Sequence, residues 1–295
     1  MLYEWQVADV DRLEESGFTG LLNIEPGGTK TILALAAHVR SGSEVTLVVA
    51  PKNTHGSAWI ADGRDFFGLE PRVVGNGRKA EREAFDDFRW GEPGVYLMTP
   101  ELLTRSDVSD WQMDMCIVDE GHKLNNAGKK GQRQLDLLAG RSSMRLFLSG
   151  TAWRNNFSRA WATMRFLWPE LYLRGQVAHD NYWVWCRDRM TSEDVYTSRR
   201  DQFGRPKTVK RWLHEKEPGL LLSQAPCVIT HKKRERCCEW HPNGFLPLEE
   251  PQVIEHVVPL SSAQKKIIRE LEEQGLAWLE EDSIRVDLPI TLQQR

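Results

Sequence analysis

The sequence predicts an α/β fold built on a mostly parallel sheet, and three observations lead to that prediction. Within residues 1–150, short apolar or β-branched runs alternate with polar or helix-favouring segments. The runs are almost continuously apolar, which is typical of parallel strands covered on both faces. One run is followed by a Pro/Gly turn and an Ala-rich segment, the order that forms a phosphate-binding loop. Ligands of open α/β sheets bind at the carboxyl ends of the strands, so we expect the functional residues there.

The predicted elements divide the chain into two parts. The predicted strands are residues 20–24, 45–50, 72–74, 95–98, 115–118 and 145–148. We predict that residues 1–152 form the α/β domain and that 153–295 form a mainly helical extension, because residues 152–186 are aromatic and helix-like. Residues 187–217 are polar and basic and contain a Gly-Arg-Pro turn, so a mobile loop is expected there.

Composition limits the function classes. The chain has 295 residues, of which 40% are hydrophobic and 27% charged, with a formal net charge of -3. This balance allows one large or two ordinary domains, and any nucleic-acid binding must use a local basic face. No apolar run approaches the length of a membrane span, and the first residues do not begin a signal peptide. We expect a protein that is neither secreted nor in a membrane: cytoplasmic, or nuclear in a eukaryote.

The cysteines indicate a reducing compartment. Their number, five, is odd and their spacing irregular, which argues against a disulfide scaffold. Cys237 and Cys238 lie between His231 and His241, so a zinc site is conceivable. Their spacing matches no standard zinc motif, and ordinary reduced thiols are the favoured interpretation.

The phosphate-loop candidate reads Leu-Leu-Asn-Ile-Glu-Pro-Gly-Gly-Thr-Lys-Thr over residues 21–31. Glycines let the backbone approach phosphates, and the first helical turn offers N–H groups and a favourable dipole to an anion. Lys30 would add a charge on the outer phosphates, and the Thr31 hydroxyl would be a magnesium ligand. The strict pattern has Gly at the positions of Ile24 and Thr29. An ordinary Gly turn before a helix is therefore the alternative.

A second candidate follows the predicted strand at 115–118, where Asp119 and Glu120 are adjacent. Strand alternation points the two side chains in different directions, so they can have different roles. The first acid after such a strand can hold the magnesium shell, and the next can orient and deprotonate a water molecule. A solvated acidic turn is the alternative.

Five segments, in chain order, resemble motifs of superfamily two helicases. They are 27–31 (motif I), 48–52 (motif Ia), 97–101 (motif Ib), 119–122 (the DEAH box, with Gly in the third position) and 148–152 (motif III). Further segments resemble the SWI/SNF-type translocases of double-stranded DNA: 155–156, 165–169, 230–233 and 260–264. The resemblance covers almost the whole chain and corresponds to the first RecA-like lobe plus the extension that follows it.

The resemblance implies roles at the matching positions. ATP would be bound by Gln6, which would read adenine, and by Gly27, Gly28, Thr29, Lys30 and Thr31, and Mg²⁺ by Thr31 and Asp119. The catalytic residues would be Glu120, Asp119 and Lys30. Coupling would involve Ser149, Gly150 and Thr151, and DNA would contact Lys52 and Thr99. The implied partners are DNA, expected to be double-stranded, and a second RecA-like lobe in the same or another chain. Thr29 is expected to adopt unusual backbone angles.

The implied activity is that of an ATP-dependent DNA translocase or helicase. No segment resembles motifs IV to VI, and the second lobe supplies the arginine fingers of the family, so this chain alone is expected to hydrolyse ATP poorly. The first alternative is a non-enzymatic or degenerate DNA-binding or regulatory module with the same fold. The second is a P-loop kinase or an unrelated NTPase.

Overall fold

A computed structural model describes most of the chain between residues 2 and 284. The described residues are 2–125, 129–150, 153, 157–172, 181–200, 206–234, 236, 238–245, 261–262, 264–266, 268–269, 277–278 and 283–284. The chain divides into two compact units. The first comprises residues 1–193 and 210–248, and the second comprises 194–209 and 249–295.

The strands include all six that the sequence predicts. In chain order they are β1 (Thr19–Ile24), β2 (Val45–Val49), β3 (Arg72–Val73), β4 (Gly94–Met98), β5 (Met115–Asp119), β6 (Met144–Ser149), β7 (Met190–Arg200), β8 (Pro206–Glu215), β9 (Val228–His231), β10 (Ala277–Trp278) and β11 (Ser283–Ile284). Strands β10 and β11, in the second unit, pair antiparallel.

The helices alternate with the strands through the first unit. They are α1 (Glu4–Glu15), α2 (Lys30–Ser41), α3 (Lys52–Thr54), α4 (Ala61–Phe67), α5 (Lys79–Trp90), α6 (Pro100–Leu103), α7 (Lys130–Ala139), α8 (Ala160–Leu167), α9 (Pro169–Tyr172), α10 (Tyr182–Arg189) and α11 (Leu220–Ser223). A π-helical turn, His55–Ile60, joins α3 to α4. Within the described part of the chain, no helix combines the length and apolarity that crossing a bilayer requires.

Seven strands form one sheet in the order β3-β4-β2-β5-β6-β1-β9. Every neighbouring pair in it is parallel. All five residues of β2 and of β5 are buried, as expected for strands with helices on both faces. The predicted fold class, an α/β fold with a mostly parallel sheet, is therefore confirmed.

Strand β9 was not predicted, and it lies beside β1 at the edge of the sheet. Leu21 pairs with Val228, and Ile24 pairs with His231. The division after residue 152 stays a prediction of domain organisation. Residues well beyond that point nevertheless complete the sheet that carries the phosphate loop.

The prediction of a mobile loop across residues 187–217 was wrong for the part that is described. Strands β7 and β8 form a two-stranded sheet there. The reason is side-chain shape: Thr and Val recur among the charged residues of both strands, and β-branched residues favour extended backbone even in a polar sequence. A turn signal between two such stretches indicates a hairpin as readily as a loop.

A buried arginine anchors strand β6 to the helices that pack on it. Arg145 donates to the carbonyl oxygens of Leu167 at 3.0 Å, Ala139 at 3.2 Å and Ser142 at 2.5 Å. Its charge lies 3.9 Å from the carboxylate of Glu170. These hydrogen bonds and the nearby carboxylate offset part of the cost of burying the charge, and they fix β6, whose carboxyl end belongs to the site.

Candidate active site

The carboxyl ends of three neighbouring strands bring the predicted motifs together. Strand β6 lies between β5 and β1, so the segments that follow these strands meet at one edge. The backbone N–H of Gly150 donates to Glu120 Oε1 at 3.4 Å. A Cβ atom on Gly150 would lie 2.9 Å from Cδ of Pro26, so the segment after β6 also packs against the phosphate loop. Motifs that are far apart in the sequence thus share one site.

The phosphate loop depends on backbone conformations that few residues adopt. Gly27 has φ 89° and Thr29, at the start of α2, has φ 59°. The unusual angles expected at Thr29 are present, and a non-Gly residue held there costs on the order of 1–3 kcal/mol. A Cβ on Gly28 would lie 2.4 Å from Cγ2 of Ile24, so only glycine fits at that position without a shift. The packing of the loop against Ile24 therefore requires glycine at this position.

Gln6 joins helix α1 to the phosphate loop. Its Nε2 donates to Thr29 Oγ1 at 2.9 Å, and its Oε1 accepts from the backbone N–H of Tyr3 at 2.9 Å. The side chain is buried, so both hydrogen bonds replace contacts with water. The structure thus brings Gln6 to the loop and gives Thr29 a side-chain contact that offsets part of its backbone strain.

Lys30 is the first residue of α2 and points back into the loop. Its Nζ donates to the carbonyl oxygen of Ile24 at 2.9 Å. Burial lowers the pKa of Lys30, whereas the charges of Glu120 and Asp119 act in the opposite direction. The ammonium group is therefore partly dehydrated and lies in the electric field of two carboxylates, and an anionic ligand would find a strong electrostatic partner in it.

Asp119 is buried at the end of β5. The indole Nε1 of Trp59 donates to Asp119 Oδ2 at 3.4 Å. Burial, and after it the charge of Glu120, raise the pKa of Asp119 to about 6, although Lys30 and Trp59 oppose the shift. A carboxylate with a perturbed pKa at a strand end is typical of a functional site.

Glu120 has a different environment from Asp119, as strand alternation predicts. Its backbone is left-handed, with φ 47°, and its N–H donates to the carbonyl oxygen of Leu148 at 3.0 Å. Its carboxylate accepts from Gly150, whereas that of Asp119 accepts from Trp59. The strained backbone at Glu120 is stabilised by the sheet and directs this carboxylate towards the segment after β6.

Packing explains why the third residue of the DEAH-like box, Gly121, is a glycine. A Cβ there would lie 2.6 and 2.7 Å from two ring atoms of Phe147, and 2.7 Å from Cγ1 of Val118. The Phe147 side chain occupies the volume that an alanine would need. His122 is exposed, and its N–H donates to the carbonyl oxygen of Glu120 at 2.7 Å.

The remaining predicted residues lie at several positions. Ser149 is half-buried at the end of β6, where it pairs with Asn23 of β1. Thr31 is the second residue of α2 and is half-buried. Thr151 lies outside the described residues. Thr99 follows β4 and caps α6, because its Oγ1 accepts from the backbone N–H of Leu102 at 3.2 Å.

Lys52 follows β2 and is exposed at the start of α3. It lines a groove of about 640 Å³ together with the basic residues Arg72 and Arg78 and with acidic residues of α5. The structure therefore gathers Gln6, residues 27–31 and the residues after β5 and β6 around the phosphate loop. It puts Lys52 on a separate groove.

Three contacts at the site were not predicted from the sequence. Trp59 is the hydrogen-bond donor to Asp119. The Oε2 of Glu25 accepts from the backbone N–H of Lys233 at 2.8 Å. Phe245 lies 3.0 Å from the position that a Cβ on Gly28 would occupy. Each contact joins segments that are distant in the sequence, and no local pattern signals them.

Comparisons with known proteins agree with this geometry. The SNF2-related domain family matches residues 6–193. The Arabidopsis thaliana "ISWI chromatin-remodeling complex ATPase CHR11" is 27% identical over 183 residues, which are 57% of this chain and 17% of that protein. The "SWI/SNF chromatin-remodeling complex subunit snf22" of Schizosaccharomyces pombe is 22% identical over 292 residues, which are 94% of this chain and 16% of that protein. This chain thus spans about a sixth of the length of these relatives.

A solved structure shares the fold. The "Sulfolobus solfataricus SWI2/SNF2 ATPase core in complex with dsDNA" superposes with a TM-score of 0.55 at 18% identity, over 80% of this chain and 45% of that one. The family match covers more than half of the present sequence and includes the phosphate loop, both acidic residues and the segment after β6. The chain therefore belongs to the SNF2-related domain family.

Proposed function

We propose that this chain is the ATP-binding lobe of an ATP-dependent DNA translocase. The observation that supports this most is the meeting of Lys30, Asp119 and Glu120 beside a glycine loop at the carboxyl edge of a parallel sheet. That combination suits phosphoryl transfer, where catalysis is mainly positioning and charge stabilisation. Its relatives are named as ATPases and as chromatin-remodelling subunits, which supports the same assignment.

The loop suits a triphosphate. The first N–H groups of α2 follow a turn that contains Gly27 and Gly28, which carry no side chains, so a phosphate can approach this backbone closely. We assign residues 27–31 to the phosphates. On binding, Lys30 would exchange the carbonyl oxygen of Ile24 for phosphate oxygens. We assign Gln6 to the adenine base, and its hydrogen bond to Thr29 would link the base to the phosphate loop.

Thr31 and Asp119 suit Mg²⁺, because a hydroxyl and a carboxylate are the oxygen donors that this ion prefers. The bound ion would neutralise charge on the phosphate oxygens. Asp119 must be ionised for this role, and a pKa of about 6 leaves it ionised at neutral pH. The indole of Trp59 would hold one carboxylate oxygen in place.

Glu120 is assigned to orient the attacking water and to accept its proton. We assign coupling to Ser149, Gly150 and Thr151. The Glu120 carboxylate already accepts from the N–H of Gly150, so one hydrogen bond joins the water-activating group to this segment. A change in the position of that segment would change the orientation of Glu120. This contact is our basis for the proposed coupling between hydrolysis and movement.

Duplex DNA is the proposed track, and a second RecA-like lobe, from a longer form of this chain or from another chain, is the proposed partner. Lys52 is assigned to a phosphate of the DNA backbone, because it is exposed in a groove with Arg72 and Arg78. Thr99 caps α6 with its hydroxyl, so its contribution would come through the orientation of that helix. A solved relative of the same fold is described with double-stranded DNA.

The test combines calorimetry with MgATP and a steady-state ATPase assay with and without duplex DNA. Glu120→Gln should keep the MgATP affinity of the wild type and reduce turnover by about 10²–10⁴-fold, the usual contribution of a general base. Glu15→Gln, at an exposed position of α1, is the matched control and should behave as the wild type. The proposal fails if the wild type does not bind MgATP, or if Glu120→Gln hydrolyses ATP as fast as the wild type. Binding of ATP and DNA without any hydrolysis, even when a second lobe is supplied separately, would favour a regulatory module.

A further inference from the structure

A second polar cluster lies at the end of β9, and the proposed ATPase chemistry does not use it. It consists of His231, Cys238 and His241, whose donor atoms all lie within 4.8 Å of one another. Cys238 Sγ is 3.7 Å from Nδ1 of His231 and 3.2 Å from Nδ1 of His241. We call these three residues the Cys–His cluster. His231 is buried, and the other two are half-buried.

The distances in the Cys–His cluster match those of a tetrahedral metal site. With Zn–S and Zn–N bonds of about 2.3 and 2.0–2.1 Å, sulfur and nitrogen ligands of one ion lie about 3.5 Å apart. The two observed sulfur-to-nitrogen distances lie on either side of that value. One thiolate and two imidazoles are ligands that zinc prefers over calcium or magnesium.

Metal-binding histidines usually donate their second ring N–H to a carboxylate or a carbonyl oxygen, and Asp9 is such a partner for His231. Its Oδ2 lies 2.5 Å from Nε2 of His231, and both side chains are almost fully buried. A carboxylate that accepts from Nε2–H fixes the tautomer in which the lone pair is on Nδ1, the atom that faces Cys238. The indole of Trp5 packs edge-on against both His231 and His241 at 5.0 Å between centroids, which restrains the two rings.

A metal ion accounts for the close approach of all three donor atoms. A neutral thiol has one hydrogen, so Cys238 can donate to one of the two imidazole nitrogens near it. A metal ion would satisfy the sulfur and both nitrogens at once. We propose that the Cys–His cluster binds one zinc ion, with Asp9 positioning His231 and a water molecule in the fourth coordination site.

The bound ion would fasten the segment after β9 to helix α1 and hold it against the phosphate loop. That segment already contacts the loop, through the hydrogen bond from Lys233 to Glu25 and through Phe245 beside Gly28. By holding these contacts in place, the ion would stabilise the phosphate loop. This inference does not depend on whether the protein hydrolyses ATP.

The first experiment measures bound metal by elemental analysis after the untagged, full chain has been incubated with zinc and dialysed. The wild type should retain one zinc per chain. Cys238→Ser and His241→Ala should retain only background zinc. Matched controls are Cys227→Ser, a buried cysteine elsewhere, and His214→Ala, an exposed histidine on β8, and both should retain one zinc. Asp9→Asn should bind zinc about 10- to 100-fold more weakly, since it removes only the outer partner.

A second experiment uses the wild type alone, so it does not depend on whether the variants fold. Cobalt(II) in place of zinc should give the thiolate charge-transfer and tetrahedral d–d absorption bands, and zinc should protect Cys238 from alkylation by iodoacetamide. Zinc at about 100 times its Kd should also raise Tm by several degrees. The proposal is overturned if the wild type retains no zinc and gives no cobalt spectrum, or if Cys238→Ser and His241→Ala, folded by circular dichroism, retain one zinc.

Discussion

The phosphate loop and the Cys–His cluster both contact helix α1, about one turn apart, at Gln6 and Asp9 respectively. The phosphate loop is made of neighbouring residues in strained conformations, with Thr29 in the left-handed region. The Cys–His cluster is made of side chains from separate segments, and none of its described residues has a positive φ. The difference teaches that one site is built by the backbone and the other by long-range packing. They should therefore fail in different ways.

The largest expected effect is the loss of ATP binding on Lys30→Ala. A charge-assisted hydrogen bond contributes about 1.5–3 kcal/mol, so the MgATP affinity should fall at least about 10- to 100-fold. Zinc retention should not change, because Lys30 has no contact with the Cys–His cluster. Calorimetry and elemental analysis on the same preparation measure both properties. Lys79→Ala on α5, whose side chain is 83% exposed, is the control that should bind as the wild type. Loss of both ligands in Lys30→Ala would show that the two sites are one.

Asp119→Asn should stabilise the nucleotide-free protein. The folded-state pKa of Asp119 is about 6, above its ordinary value of 3.8, so the ionised form is disfavoured by folding. This cost is fully present above pH 6 and disappears as the pH falls towards 3.8. Asparagine removes it, with a gain on the order of 2–3 kcal/mol at pH 8 and about half of that at pH 5. Urea unfolding at both pH values measures the gain. If Asp119→Asn did not raise the unfolding free energy at pH 8, the charge of the buried carboxylate would have to be compensated by its neighbours in the folded protein.

Gly121→Ala should destabilise the fold by overpacking. The new methyl group would meet the ring of Phe147 at 2.6 Å, and such crowding costs about 1–3 kcal/mol. Gly140→Ala is the matched control, because the nearest atom to its Cβ would be 3.5 Å away, and it should be close to neutral. Adding Phe147→Leu to Gly121→Ala should recover part of the loss, as a double-mutant cycle measures. Equal Tm values for the two glycine variants would contradict the packing argument.

The smallest net effect is expected at Thr29, where two contributions oppose each other. Thr29→Gly relieves the left-handed strain but removes the hydrogen bond from Gln6, which contributes about 0.5–1.5 kcal/mol. We expect a change within about 1 kcal/mol in the wild type, and a clear stabilisation when Gln6→Ala is already present. MgATP affinity should stay the same or increase. The unfolding free energies of the wild type, the two single variants and the double variant give the coupling energy between Gln6 and Thr29. Additive effects would exclude a contribution from this hydrogen bond.

The sequence predicts well which residues of the backbone-built site lie together. The apolar runs give all six of the predicted strands, and since parallel strands end at one edge, the residues after them were expected to meet. Lys30, Asp119, Glu120 and Gly150 do meet there. Local patterns carry this information because each of these residues lies at the end of a strand or in the short segment that follows it.

The long-range contacts could not be predicted in the same way. The pairing of His231 with Asp9 requires β9 to lie beside β1 in one particular register. A four-residue strand far along the chain gives no signal for that register. The strands β7 and β8 were missed because their charged residues hide a β-branched pattern. Sequence reasoning failed where the contact partner, rather than the local segment, decides the structure.

The position of β9 also has a consequence for biosynthesis. β1 is synthesised before β9, and the strand that covers its outer edge is completed roughly 200 residues later, or ~10–40 s at common rates of translation. During that time a buried strand of the phosphate-loop sheet has an open edge, which invites pairing with other chains. The match to the family ends at residue 193, before β9 begins. A nascent or truncated protein that ends at residue 193 would contain every segment proposed to bind ATP, but the edge of β1 that pairs with β9 would remain open to other chains.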